Sequence, residues 1–131
     1  MKYYIKTSLE MGRGLYPLRT IYKGELISVC EILVLSQDDT VKVNDTDLKY
    51  YTFKFNETQD CLVLGDGEIF NHADDSNVDY QLVSHNDNGQ IRQRMIFVAK
   101  RDIGVGEQLL INYSADIQVD SNQYIEKKSL I

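Results

Sequence analysis

Residues 78–85 and 91–99 flank Asn86-Asp87-Asn88-Gly89, and that arrangement constrains the fold more than any other stretch. Both arms are rich in β-branched and apolar residues, which suit a pleated, half-buried surface. Asn-Gly supplies the positive φ that a tight turn needs. The arms therefore predict an antiparallel hairpin, with Arg92 and Arg94 together on the wet face of its second strand. The same grammar recurs along the chain, as short apolar or aromatic runs cut by turns. Residues 2–7 predict a first strand, broken by Met11-Gly12-Arg13-Gly14-Leu15. Tyr22-Lys23-Gly24-Glu25 turns into the apolar run 26–35. Gly65-Asp66-Gly67 separates 61–64 from 68–70, and Asp102-Ile103-Gly104-Val105-Gly106 leads into a last strand over 108–113. This is the pattern of a mainly β domain.

Two segments are less one-sided. Residues 36–47 are polar and acidic and predict an exposed loop. In 48–55, Tyr51, Phe53 and Phe55 alternate as in a strand, while Leu48, Tyr51 and Phe55 also suit one helix face; the aromatic content favours a strand. Residues 114–131 carry only scattered apolar groups. No repeat or low-complexity segment is apparent, and Pro17 is the single proline.

A chain of 131 residues fits one domain with a core of its own. Its 43% hydrophobic and 26% charged residues belong to a soluble globular protein, and no apolar run approaches the ~18 residues of a membrane span. Met1-Lys2-Tyr3-Tyr4-Ile5-Lys6 turns polar at once and lacks a signal-peptide core, so the expected location is cytoplasmic or nuclear, in the cell or in an infected host. The net charge of −6 disfavours direct nucleic-acid binding and favours a cationic partner such as a Lys/Arg-rich peptide. Cys30 and Cys61 stand alone in apolar surroundings and read as small buried hydrophobes. With both cysteines, His72 and His85 isolated from one another, no structural zinc is expected.

The chemistry-bearing stretch is Gly67-Glu68-Ile69-Phe70-Asn71-His72-Ala73-Asp74-Asp75-Ser76-Asn77, an apolar end joined to a polar knuckle. Buried, such a knuckle demands that its donors and acceptors be paired; exposed, it is an ordinary turn. A calcium loop from Asp75 has Asn77 and Asp79 in register but Tyr80 where glycine belongs and Asn86 where the bidentate Glu should be. Gly12 and Gly14 lack the third glycine of a dinucleotide fingerprint. No nucleophile-elbow sequence is present.

Four motifs in order resemble those of the SET-domain protein lysine methyltransferases. Met11-Gly12-Arg13-Gly14-Leu15 is similar to the family's opening glycine motif, and Tyr22-Lys23-Gly24-Glu25-Leu26-Ile27 to the turn and strand that follow. Phe70-Asn71-His72-Ala73-Asp74-Asp75-Ser76-Asn77 resembles the Asn-His motif, and the stretch from Arg101 to Tyr113 the closing Gly-Glu-to-Tyr motif. Size and the lack of flanking domains are most like the minimal stand-alone viral and bacterial members. The resemblance implies a SET-type fold of small curved β-sheets (a β-clip) with a C-terminal pseudoknot and little helix, and the Asn-His and Tyr stretches side by side. Residues 1–113 would form the domain, and 114–131 a tail that completes the active site.

The activity so implied is transfer of a methyl group from S-adenosylmethionine to a lysine amine of a basic protein such as a histone, with S-adenosylhomocysteine as product. The alternative is an inactive SET-like module that binds basic peptides. Tyr113 would be the catalytic residue. Met11, Gly12, Arg13, Gly14, Tyr51, Asn71 and His72 would hold the cofactor, with Tyr50 an alternative to Tyr51. Asn77 would brace the knot. Ala73, Ser76 and Asn112 depart mildly from the family's common Ser, Pro and Asp. The cysteine-rich flanks that close the lysine channel in many members are absent, so the tail (Ile117 or Tyr124) or the second subunit of a homodimer would have to close it.

Overall fold

The computed structural model describes residues 2–113 and 118–119. Its largest sheet has six strands in the order β10-β7-β8-β3-β5-β4. These are β3 (Leu26–Val34), β4 (Thr52–Lys54), β5 (Asp60–Val63), β7 (Val78–Asp87), β8 (Gln90–Ala99) and β10 (Gln118–Val119). β1 (Tyr3–Ser8) and β2 (Gly12–Pro17) form a separate antiparallel pair, and β6 (Asn71–His72) and β9 (Leu110–Ile111) a short parallel one.

The β7–β8 hairpin is the longest ladder, in register from Val78↔Ala99 to Asp87↔Gln90. Asn88 and Gly89 turn it with φ of 53° and 86°, the pair of positive angles a two-residue turn demands. Val78, Tyr80 and Leu82 of β7 and Met95 and Phe97 of β8 are buried in one core with Leu15, Ile21, Ile103, Leu109 and Ile111. Phe70 stacks on Phe97 with ring centroids 4.4 Å apart, which pins the chain just before Asn71 to the hairpin. The apolar end of the knuckle is thus a buried anchor, and its polar end emerges from the core at a fixed point.

Four expectations change. Residues 37–44 are not loop but helix α1 (Gln37–Asn44), whose Ser36 cap accepts from Asp39 N at 3.0 Å. Asp38 and Asp39 in its first turn complement the helix dipole. The strand expected over 48–55 is divided into a 3₁₀ turn (Asp47–Tyr51), capped by Thr46, and the three residues of β4. Leu48, Tyr50 and Tyr51 are exposed there, so no buried face rewards an extended strand. Arg92 and Arg94 do share a face, but both reach Glu31 on β3, and Arg94 is largely covered. The last expected strand shrinks to Leu110–Ile111. Cys30 and Cys61 are buried free thiols, as expected.

A short repeat also emerges that is inconspicuous in one dimension. Arg19 to Glu25 and Arg101 to Glu107 fold alike. In each, the Glu accepts from a turn amide (Tyr22 N, Gly104 N) and pairs with the Arg six residues earlier. The two copies meet where Ile21 and Ile103 exchange backbone hydrogen bonds at 2.9 and 2.7 Å. The Arg19 guanidinium holds the Glu25 carboxyl down at about 2. Only the spacing Arg-x-Ile-x-x-Gly-Glu is shared, which explains why it escapes notice without the fold.

Candidate active site

Parallel pairing of β6 with β9 sets Asn71 opposite Leu110 and His72 opposite Ile111, so the two distant motifs are neighbours. Backbone bonds from Ala73 N to Ile111 O (3.0 Å) and Asn77 N to Leu110 O (3.2 Å) extend the contact. Asn77, 2% exposed, secures it from inside: its amide donates to Gln108 O and accepts from Leu110 N, both at 2.8 Å. With both ends of its amide spent on backbone, Asn77 is unsuited to the calcium-loop reading.

Tyr113 follows directly from this crossing. Its backbone N–H donates to His72 Nδ1 at 2.9 Å, and His72 Nε2 lies 3.0 Å from Asp74 Oδ1. An acceptor role at Nδ1 places the ring proton on Nε2 when the imidazole is neutral. The Tyr113 hydroxyl donates to Phe70 O at 2.6 Å. That bond uses its one proton, so toward anything else the oxygen can only accept. Burial, with Glu68 and Tyr51 nearby, pushes its phenol further up, and it stays protonated at neutral pH.

Two cavities of about 300 Å³ meet at this point. One has Phe53, Phe70 and Tyr80 among its walls and Lys49 and Lys54 on its lining. The other is lined by Met11, Arg13, Tyr51, Ile69 and Asn71. Tyr50, Glu68 and Tyr113 belong to both. The phenol therefore stands in the partition between an aromatic pocket and a polar one.

The polar cavity is shaped by the glycine motif. Asn71 Nδ2 donates to Arg13 O (2.8 Å) and to Gln108 Oε1 (2.7 Å), which occupies both of its hydrogens and leaves Oδ1 able to accept. Gln108 Nε2 in turn reaches Met11 Sδ at 3.2 Å. A Cβ on Gly14 would overlap Gln108 Oε1 and come within 3.1 Å of Asn71 Nδ2. A side chain at 14 would have to push the Gln108 carboxamide aside, whereas Gly12 is favoured by its φ of 69°. Gly14→Ala is expected to break the Asn71–Gln108 contact while the rest of the β1–β2 ladder survives. Two-dimensional NMR would show it as shifts confined to residues around 14, 71 and 108.

A sequence model of the SET domain matches residues 12–114. The chain belongs to the SET-domain family. It is 29% identical over 110 residues to the histone-lysine N-methyltransferase, H3 lysine-37 specific, of Schizosaccharomyces pombe, covering 83% of this chain and 71% of that protein. A histone methyltransferase candidate from Plasmodium falciparum superimposes with a TM-score of 0.66 at 27% identity, over 88% of this chain and 95% of that one. CpSET8 from Cryptosporidium shares the fold, with a TM-score of 0.67 at 22% identity over 88% and 59% of the two chains.

Within this SET domain, five of the eight expected site residues (Met11, Arg13, Tyr51, Asn71 and Tyr113) line the polar cavity. Gly12, Gly14 and His72 stand outside its lining; Gly14 and His72 act on residues that do line it. Tyr50, the alternative to Tyr51, lines both cavities, and Tyr51 lines the polar one. Glu68 and Gln108 were not anticipated. The signal for Glu68 was its position against Ile69 and Phe70, a carboxylate leading into an apolar anchor. Ile117 and Tyr124, named for closing the channel, lie outside the described residues.

Proposed function

We propose that this chain is a protein lysine N-methyltransferase that uses S-adenosylmethionine. The observation that carries this reading is the position of Tyr113 in the partition between two cavities of different character. Family membership and the lysine methyltransferase named among its relatives support it.

The polar cavity fits the cofactor on its own chemistry. Asn71 Oδ1 is an acceptor suited to an amino-acid ammonium, and Met11 and Arg13 bring the glycine motif to the same lining. Met11, Arg13, Tyr51 and Asn71 would hold the group, with Gly12, Gly14 and His72 supporting them from behind. When bound, it supplies an electrophilic methyl on sulfonium sulfur and leaves as S-adenosylhomocysteine.

The rest is the work of this chain. Aromatic walls at Phe53, Phe70 and Tyr80 suit the alkyl stem of a lysine. A free lysine has a pKa of ~10.4, and partial desolvation in that pocket lowers it toward the reactive neutral amine. Tyr113 Oη, its proton committed to Phe70 O, can accept only an N–H or a polarised C–H. It therefore orients the amine toward the polar cavity. Holding reactants in line in this way can be worth ~7–11 kcal/mol. The charge of −6 draws in a basic protein, a histone or histone-like tail, as substrate.

Incubation with isotopically labelled S-adenosylmethionine and a panel of Lys-rich proteins, followed by mass spectrometry, tests the reading. Label on lysine side chains is expected. Peptide binding that ignores the cofactor, with no label transferred, would instead mark a binding module without catalysis. Asn71→Ala is expected to weaken S-adenosylmethionine binding by roughly tenfold or more, the worth of a hydrogen bond to a charged group. Calorimetry with the cofactor alone reads this directly.

A further inference from the structure

Among the described residues Glu68 is the one carboxylate that lines both cavities, and the reaction as described above makes no use of it. It closes the 3₁₀ turn Gly65–Glu68, at the end where the chain enters the Phe70 anchor. Oε1 accepts from Val63 N at 2.9 Å, a bond that fixes the carboxyl plane. Among the described residues no partner is recorded for Oε2. The walls beside it are Phe53, Phe70, Tyr80 and Tyr50, with the Tyr113 phenol in the same partition. Aromatic side chains and a carboxylate held by Val63 N on one cavity lining make a receptor for a primary alkylammonium, through cation–π attraction and a charged hydrogen bond.

We propose that Glu68 receives the substrate ammonium and takes its proton. The inference rests on the lysine methyltransferase reading and adds the group that readies the nucleophile. One N–H bond of the ammonium breaks and its electron pair stays on nitrogen, free for the methyl. The proton goes to Glu68 Oε2, which becomes a neutral carboxylic acid and later returns the proton to water. Tyr113 cannot do this, because its phenol is held protonated.

Titration of Glu68 is suited to the task. Burial pushes its carboxyl up to about 7, against the opposing pull of Val63 N–H. The groups that face it are Tyr113 and Tyr50 in the partition, Lys49 and Lys54 in the aromatic cavity, and Tyr51 and Arg13 in the polar one. Asp66 lies on its own turn, and Cys30 of β3 and Cys61 of β5 feel its charge from behind as buried neutral thiols. An acceptor near neutrality exchanges protons with an amine far better than one near 4.

The test uses the whole chain and n-butylammonium as probe, with n-butanol as its uncharged counterpart, followed by NMR. At pH 8 the wild type is expected to prefer the cation severalfold. Glu68→Gln, which keeps the acceptor for Val63 N, should bring that ratio near one, and Glu68→Asp should restore part of it. Cation binding should also lower the apparent pKa of the wild-type Glu68 carboxyl, a measurement that needs no variant. An unchanged ratio in Glu68→Gln, or a Glu68 titration indifferent to the cation, overturns the proposal.

The pH profile of kcat/KM separates this inference from the reading beneath it. In the wild type it should rise through about 7 as Glu68 ionises, and in Glu68→Gln that limb should move up by a unit or more. Methyl transfer with an unmoved profile sinks the role of Glu68 and leaves the methyltransferase. Cation preference without any methyl transfer supports the ammonium site and sinks the transferase. The raised carboxyl also fixes a stability signature. The folded state binds the extra proton between the ordinary carboxylate value and about 7, so stability falls as pH rises through that window. Glu68→Gln should therefore gain melting temperature over the wild type at pH 8 and lose the advantage toward pH 4.

Discussion

Tyr113→Phe is expected to reduce methyl transfer by roughly 10²-fold, with little change in melting temperature or in cofactor affinity. The side chain keeps most of its surroundings when the hydroxyl goes. Its ring still lies 5.1 Å from that of His72, and its backbone still donates to His72 Nδ1. What disappears is the bond to Phe70 O and the oxygen that faces the partition. Losing one hydrogen bond at a half-exposed position costs only about 1 kcal/mol. The loss should fall on kcat, because an oriented amine matters most as the methyl moves. Single-turnover labelling of a fixed substrate, with calorimetric affinity for the cofactor measured beside it, gives both numbers. A variant that transfers methyl at the wild-type rate would show that the phenol is structural and that the site reading fails at its centre.

His72 bears on the same result from a different direction. Its described bonds go to the Tyr113 backbone and to Asp74, so it acts on the amine only through the placing of Tyr113. The resemblance implies a place for it beside the cofactor. The geometry adds a positioning role, in which an imidazole in a fixed tautomer sets where the phenol begins.

What could be read from the sequence is what local chemistry decides. Asn88-Gly89 dictates a hairpin because few other dipeptides accept two positive φ values in succession. The glycine, Asn-His and Tyr motifs were visible because their residue types and order are unusual. What could not be read depends on contacts across the fold. Helix α1 hides behind an acidic composition, although Ser36 and Asp39 are a regular capping pair. The arc Asp47–Tyr51 leaves its aromatic residues exposed toward the cavities, where alternation mimics a strand without a sheet to join. Glu68 gains its meaning only when β5, the Phe70 anchor and Tyr113 converge. The paired Arg-to-Glu turns show their likeness once Ile21 and Ile103 face each other.

Asn77→Ala should be the most destabilising of the single changes considered, at roughly 2–4 kcal/mol. The amide bonds Gln108 O and Leu110 N at 2.8 Å each, at a position 2% exposed. Truncation strands both backbone groups where water has little access, and each then costs ~1–3 kcal/mol. Gln108 is one residue before Leu109, whose N–H donates to Leu15 O at 2.8 Å. Damage at 77 therefore spreads to the glycine strand and to the Asn71–Gln108 contact. For a domain of this size the melting temperature should fall by roughly 10 °C. Cofactor affinity should fall with it, although Asn77 lines neither cavity. Asn77→Asp separates the two halves of the effect: it keeps the acceptor for Leu110 N but sets a carboxylate against Gln108 O. It should be no better tolerated than alanine at neutral pH, and should recover in mild acid once the carboxyl can donate. A loss below about 0.5 kcal/mol for Asn77→Ala would mean that backbone pairing of β6 with β9 suffices to hold the crossing. The brace assigned to Asn77 would then have to be given up.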